Sequence, residues 1–407
     1  MSADIDSEAA LAPFRRRGYP GLVASTATAA FAVSVSTVAL VWLVRADPGA
    51  IGLIFALRGG ALLVFGIPAG LLADRMDRRT LLVLTNVLAI GLALLVAGVA
   101  SVGTLPLWAL ALIALGFGIL DTAKVASTQS YAYDLVGPVL ATSGIAIAAI
   151  GTQLLSALGN VTAGPVMDVY GPGVAFLVTA AALGVSTLLL LVAAPSLEAR
   201  RRLASPSTER LPLSVRASLV LVRRNHILAL LAVTVIVTEI FGFSSMVLLP
   251  VFADQVFGTD ASGYGAMAAV MRLGGAAALV AVALFGLRLT RGSVLLTASA
   301  SFGVGLVALA VSPSFAVALV PVFIVGGAAA ATDSLSQSLM QRSAADSERG
   351  AAMGTWAFGV GFGPFGHLAV GLAAGRVGAP LTQLVAGGVL LLLAAGLSRN
   401  QGLRALR

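Results

Sequence analysis

Cysteine is absent from the chain, lysine occurs once and histidine twice. Without cysteine there is no disulfide, no thiol chemistry and no cysteine metal centre. Two histidines, His226 and His367, do not make a structural metal site, and no metal is expected. Charge is scarce as well: 10% of residues are Asp, Glu, Lys or Arg against 58% hydrophobic, too little to cover a soluble protein of 407 residues. No Walker-type glycine loop and no nucleophile arrangement occurs, so neither an ATP-driven pump nor an enzyme is expected, and no cofactor beyond a proton gradient. What the chain does have is glycine, 46 residues of it, set inside apolar runs where small residues let membrane helices approach closely. The mean hydropathy is +1.01. The class implied is an all-α integral membrane protein whose standing partner is the lipid bilayer.

Taking about 20 residues as the length that spans a bilayer, twelve runs qualify, near 20–44, 49–72, 80–101, 106–131, 138–163, 173–194, 226–250, 262–286, 293–311, 314–338, 350–373 and 380–397. The polar stretch 1–18 leads into the first run without a small-residue cleavage site, so no signal peptide is expected. Only one connection is long, and it divides the chain into an N-terminal half (1–194), a cytoplasmic linker (195–225) and a C-terminal half (226–407). Within that linker, Leu211 to Arg224 alternates apolar and basic residues, which fits a short interfacial helix or a solvated basic linker. Twenty arginines fall in segments on the N-terminal side of the membrane and two, Arg45 and Arg376, on the other. That asymmetry predicts both termini in the cytoplasm of a plasma-membrane protein. It also accounts for the formal charge of +8, and no nucleic-acid partner is needed.

The halves repeat. Arg58-Gly59-Gly60 of the second run aligns with Arg272-Leu273-Gly274-Gly275 of the eighth, Gly164 and Gly171 with Gly371 and Gly378, and Asp121 and Gln129 with Asp333 and Gln341, at offsets of 207 to 215 residues. Six spans, a long loop and six spans is a parallel two-half design related by a pseudo-two-fold, in which substrate is bound near the midplane and the halves rock.

Six ionisable residues lie inside the runs: Arg58, Lys124 and Arg272, and Asp121, Glu239 and Asp333. A charge at mid-membrane costs about 2.5–3.5 kcal/mol, so each is expected to face a cavity or a partner. Asp121 and Lys124 are three apart and share a helix face. Two readings stand for them, a self-neutralised pair that lowers the insertion cost and a substrate or proton-coupling site. Lys124 is the only lysine, and lysine, unlike arginine, gives up its proton when buried. Asp333, Gln337 and Gln341 recur every four residues as a polar stripe, and Asp121 and Gln129 make another. Glu239 stands near the middle of the seventh run with no basic residue in its own helix. A proton carrier must be neutral while occluded and ionised when open to water, and Glu239 fits; Arg272 is the competing ion-pair partner. The proton-coupling candidates are therefore Glu239, Asp121 and Asp333, and the substrate-cavity candidates Lys124, Arg58, Arg272, Gln129 and Gln337.

Between the second and third runs the chain reads Gly70-Leu71-Leu72-Ala73-Asp74-Arg75-Met76-Asp77-Arg78-Arg79. This spacing resembles the loop between the second and third helices of the major facilitator superfamily, with Asp77 where that family usually has glycine. In the fifth run, Gly151, Asn160 and Gly164-Pro165 resemble the exporter-type signature in part: Asn160 replaces a glycine, and Asp168-Val169 stands where a glycine pair is usual. A Gly-Pro step within a helix bends it, so a kink without directional meaning remains the alternative. With Ala-Leu-Val-Trp-Leu-Val at 39–44 and Leu-Leu-Pro-Val-Phe-Ala at 248–253, the stretch from about Arg15 to Ser398 resembles the drug and siderophore exporter branch, the enterobactin-exporter-like one included. The resemblance implies a cytoplasmic gate at Gly70, Asp74, Arg75, Arg78 and Arg79, whose charges lock the halves when the site faces outward. It also implies a monomer that exports a small amphipathic molecule by alternating access, with protons as counter-substrate. The first helix lacks the acidic residue that some proton-coupled exporters carry, so the coupling residue is not given by resemblance. An importer, a lipid-moving facilitator and a sensor without turnover are the competing functions.

Overall fold

An apolar run in lipid has no water to satisfy its backbone, so it closes its hydrogen bonds within itself as a helix. The computed structural model describes residues 12–103, 105–137, 140–193, 215–285, 291–345 and 348–406, and among these there is helix and no strand. Eleven helical stretches are long and apolar enough to cross a membrane. One of them, Ala141–Val192, breaks at Gly171 (φ 78°, ψ 179°) into two arms, which brings the spans to twelve. They are α1 Tyr19–Trp42, α2 Pro48–Arg75, α3 Arg78–Val102, α4 Leu107–Val136, α5 and α6 (the arms of Ala141–Val192), α7 His226–Val256, α8 Ala261–Phe285, α9 Gly292–Ala310, α10 Phe315–Arg342, α11 Arg349–Val377 and α12 Ala379–Ser398. Each apolar run of the sequence coincides with one span. Large apolar side chains such as Leu95, Leu112, Leu188 and Leu392 are more than half exposed, as a lipid-facing surface requires.

The repeat has a structural counterpart. Gly171 and Gly378, 207 residues apart, both hold positive φ, 78° and 86°, where a side chain would be strained. Each turns one span into the next, whose first turn carries a proline, Pro172 or Pro380.

Helix contacts gather the described residues into two units, one within Met1–Leu40 and Ala61–Glu209, the other within Val41–Gly60 and Arg210–Arg407. In the first unit polar groups bind helices that have no hydrophobic drive to associate in lipid. Ser25 of α1 and Ser186 of α6 share an Oγ–Oγ bond of 2.8 Å, and Asn86 of α3 donates to Ser186 Oγ at 3.1 Å. Tyr19 Oη donates to the Gly144 carbonyl of α5 at 2.6 Å. A Cβ on Gly159 would stand 2.5 Å from the Phe31 carbonyl, so α5 crosses α1 backbone against backbone at that point.

In the second unit, α8 crosses α10 at Gly274, Gly326 and Gly327, and α9 crosses α12 at Gly303 and Gly387. Residues 41–60 belong here too: a Cβ on Gly52 of α2 would stand 3.1 Å from Gly371 Cα of α11. Trp42 stacks on Tyr264 with centroids 6.1 Å apart, and Arg45 lies 4.9 Å above the Trp42 ring while its Nε bonds Asp254 Oδ1 at 3.1 Å. The amphipathic stretch of the linker is helical over Val215–Arg224, and Leu221 is buried in the same cluster as Leu228, Leu231 and Leu339. Residues 195–214 of the linker lie outside the described residues.

Candidate functional site

The seventh span is the least regular helix described. It is α-helical over His226–Val237, opens into a π turn over Thr238–Gly242, tightens to 3₁₀ over Phe243–Leu248 and widens again over Phe252–Val256. Inserted π turns recur where a helix has a task other than packing, and this one holds Glu239. Ser244 Oγ donates to the Glu239 carbonyl at 2.8 Å and to the Gly363 carbonyl of α11 at 3.3 Å, satisfying backbone groups that the irregularity leaves over. On the α11 side the residues are Gly359, Gly363 and Gly366, spaced to share one face. A Cβ on Gly359 would stand 2.7 Å from Val235 Cγ1, one on Gly363 2.9 Å from Glu239 Oε2, and one on Gly366 2.7 Å from Ile240 Cα. The distorted part of α7 thus beds on bare α11 backbone, with the Glu239 carboxylate against Gly363.

Asp333 of α10 is half-buried and accepts from Trp356 Nε1 of α11 at 3.2 Å. It also interacts electrostatically with Glu239. Gln337, one turn further along α10, is half-buried, and Gln341 at the exposed end donates to Met353 Sδ at 3.1 Å. Arg272 on α8 interacts electrostatically with Tyr264 of the same helix. His367 of α11 follows Gly363 by one turn; its ring lies 5.8 Å from that of Phe55, and its buried Nδ1 has no hydrogen-bond partner among the described residues. Glu239, Asp333, Trp356 and His367 therefore form one constellation in the second unit. The last two were missed from the sequence, although a histidine and a tryptophan inside apolar runs, from a chain with two and three of them, were a usable signal.

In the first unit, Asp121 and Lys124 are half-buried, and each interacts with a neighbour, while Gln129 is exposed. Arg58 belongs to the second unit; it is half-buried, one residue before Gly59, whose face meets Pro364 and His367 of that same unit. Around the α2–α3 corner, Arg78 forms an ion pair with Asp134 at the end of α4. Arg79 donates to the Leu190 carbonyl at 2.8 Å and the Leu191 carbonyl at 2.6 Å, a cation on the open C-terminal end of α6. Asp77 caps α3, accepting from Thr80 N at 2.8 Å and Thr80 Oγ1 at 2.9 Å. That gives its departure from glycine a physical reason. Arg75 is exposed, a Cβ on Gly70 would meet nothing within 4 Å, and the side chain of Asp74 lies outside the described ones. In α5, Gly151 faces Val23 and Ala27 at ordinary contact distance, Gly164 is buried and Pro165 exposed, and the non-helical torsion comes later, at Gly171.

Over residues 8–406 the chain matches a family model described as a transmembrane secretion effector. Among solved structures, the nucleoside transporter NupG superposes with a TM-score of 0.74 at 14% identity, covering 94% of this chain and 98% of that one. A bacterial homologue of the human lysosomal transporter Spinster, inward-facing and unoccupied, gives 0.70 at 14% identity, covering 93% and 95%. The human organic anion transporter MFSD10 gives 0.61 at 17% identity, covering 93% and 99%. At these identities the likeness is one of fold. No curated protein matches the chain.

Proposed function

The chain belongs to the transmembrane secretion effector family of the major facilitator superfamily, and from that premise we propose that it exports a small amphipathic molecule, such as a drug or siderophore, in exchange for protons. It is a multi-pass membrane transporter handling a small molecule. The family description favours the outward direction. The observation that supports proton exchange is the setting of Glu239: a carboxylate in a π turn of an apolar span, laid against the bare backbone of Gly363. In this reading Lys124, Arg58, Arg272, Gln129 and Gln337 are the substrate contacts, and Asp121 and Asp333 are the other candidates for proton coupling. The charged corner from Gly70 to Arg79 serves as the cytoplasmic gate, the termini lie in the cytoplasm, and a monomer suffices.

The test is proton movement in proteoliposomes carrying a pH dye, screened with drugs, siderophores and lysolipids. Substrate-dependent flux in the wild type that disappears in Glu239→Gln is the expected result. Flux that survives in Glu239→Gln removes the residue as carrier, and transport of lysolipids without flux replaces export with lipid movement.

A further inference from the structure

Gly363 has two ionisable neighbours. A methyl placed on it would sit 2.9 Å from Glu239 Oε2 and 3.9 Å from His367 Cε1, so carboxylate and imidazole flank the same bare Cα. A Cβ on Gly59 of α2 would likewise lie 3.9 Å from His367 Cε1 and 4.0 Å from its Nδ1, so the ring is held between α2 and α11 with Phe55 beside it. Buried polar atoms in native proteins are almost always bonded, and one that is not calls for a proton partner or a water. Nδ1 of His367 is such an atom. We propose that Glu239 and His367 form a single proton-holding couple across Gly363, with His367 as the residue through which Glu239 is loaded and unloaded.

The step is a plain proton transfer. The O–H bond at Glu239 breaks, the N–H bond at His367 Nδ1 forms over an intervening water, and the neutral carboxyl and imidazole become carboxylate and imidazolium with the net charge unchanged. Other groups facing the couple are few. Asp333 on α10 interacts with Glu239, Arg58 stands next to Gly59 on α2, and α12, which packs against α11, carries no titratable side chain. The inference rests on the proposed role of Glu239 as carrier, but its test needs no substrate.

Because the chain has only two histidines, ¹⁵N-histidine labelling of the protein in nanodiscs gives two ring signals, assigned with His226→Asn. The midpoint of the His367 signal is expected to move by about one pH unit or more in Glu239→Gln, the interaction at which two sites titrate as a pair. The reciprocal reading is the Glu239 carboxyl stretch, assigned by its frequency shift in Glu239→Asp, whose own midpoint is expected to move in His367→Gln. This second pair decides the matter should Glu239→Gln fail to fold. Superimposable titrations in either pair overturn the couple even if export proves proton-driven. A moved midpoint in a protein whose transport ignores the proton gradient would keep the couple and remove the export reading instead.

Discussion

The charged corner of the first unit and the half-buried carboxylates of the second use the same side chains to opposite ends. At the corner, Asp77 caps a helix, Arg79 covers open carbonyls and Arg78 neutralises Asp134, so each charge is consumed by a local structural demand. In the second unit, Glu239 lies against a glycine, and His367 Nδ1 has no hydrogen-bond partner among the described residues. Consumed charges stabilise; unconsumed ones are available for exchange. The comparison teaches that sequence position alone does not reveal which charges in a membrane protein are working parts. What separates them is whether the neighbours leave a valence open.

That contrast is sharpened most by Arg78→Gln. Removing one partner of a mostly buried pair leaves Asp134 uncompensated, with an expected loss of about 3 kcal/mol. Thermal unfolding in detergent reads the loss, and Arg78→Gln with Asp134→Asn together is expected to recover more than half. Equal destabilisation by the single and double variants would break the assignment. Next comes Gly366→Ala, whose methyl would meet Ser244 Oγ and stand 2.7 Å from Ile240 Cα. Overpacking of that kind costs about 1–3 kcal/mol. Gly70→Ala, with nothing within 4 Å, is the matched control, expected to change stability by at most about 1 kcal/mol and in the stabilising direction. If the two glycine variants behave alike, α7 does not bed on α11 as described. Smallest is Asp77→Ala, which removes the cap of α3 and is expected to cost about 1 kcal/mol, against a few tenths for Asp77→Gly. A larger loss with glycine than with alanine would contradict the cap.

The spans could be read from composition because length and apolarity alone decide what crosses a bilayer, and the Gly171/Gly378 pair could be matched by spacing. Asp77 was visible as a departure, and an Asp two residues before the Arg-Thr that opens the third span is a recognisable cap signal. The glycines at 359, 363 and 366 were equally visible as a one-face stripe, yet nothing local said which helix they meet. Gly159, where α5 touches α1, was overshadowed by its neighbours Gly151 and Gly164, since every glycine in an apolar helix looks alike until its contact is known. Asp134 had no local signal at all, because its partner Arg78 is 56 residues away and only the folded unit brings them together. The π turn at Glu239 is likewise a tertiary product. Gly242 closes it, but one glycine in an apolar run does not announce a π turn, which is held by Ser244 and the α11 backbone.

The three tryptophans stand in three different settings. Trp42 is sandwiched on Tyr264, Trp356 is bonded to Asp333, and Trp108 is 69% exposed. Indole emission responds to stacking, to a neighbouring charge and to the polarity of its surroundings. The chain therefore carries its own optical gauges, one in the Trp42–Tyr264 stack of the second unit, one on a candidate proton site and one at its surface as a reference. Two single-tryptophan variants, retaining Trp42 or Trp356, would allow a conformational step and a protonation step to be timed separately, with no dye attached.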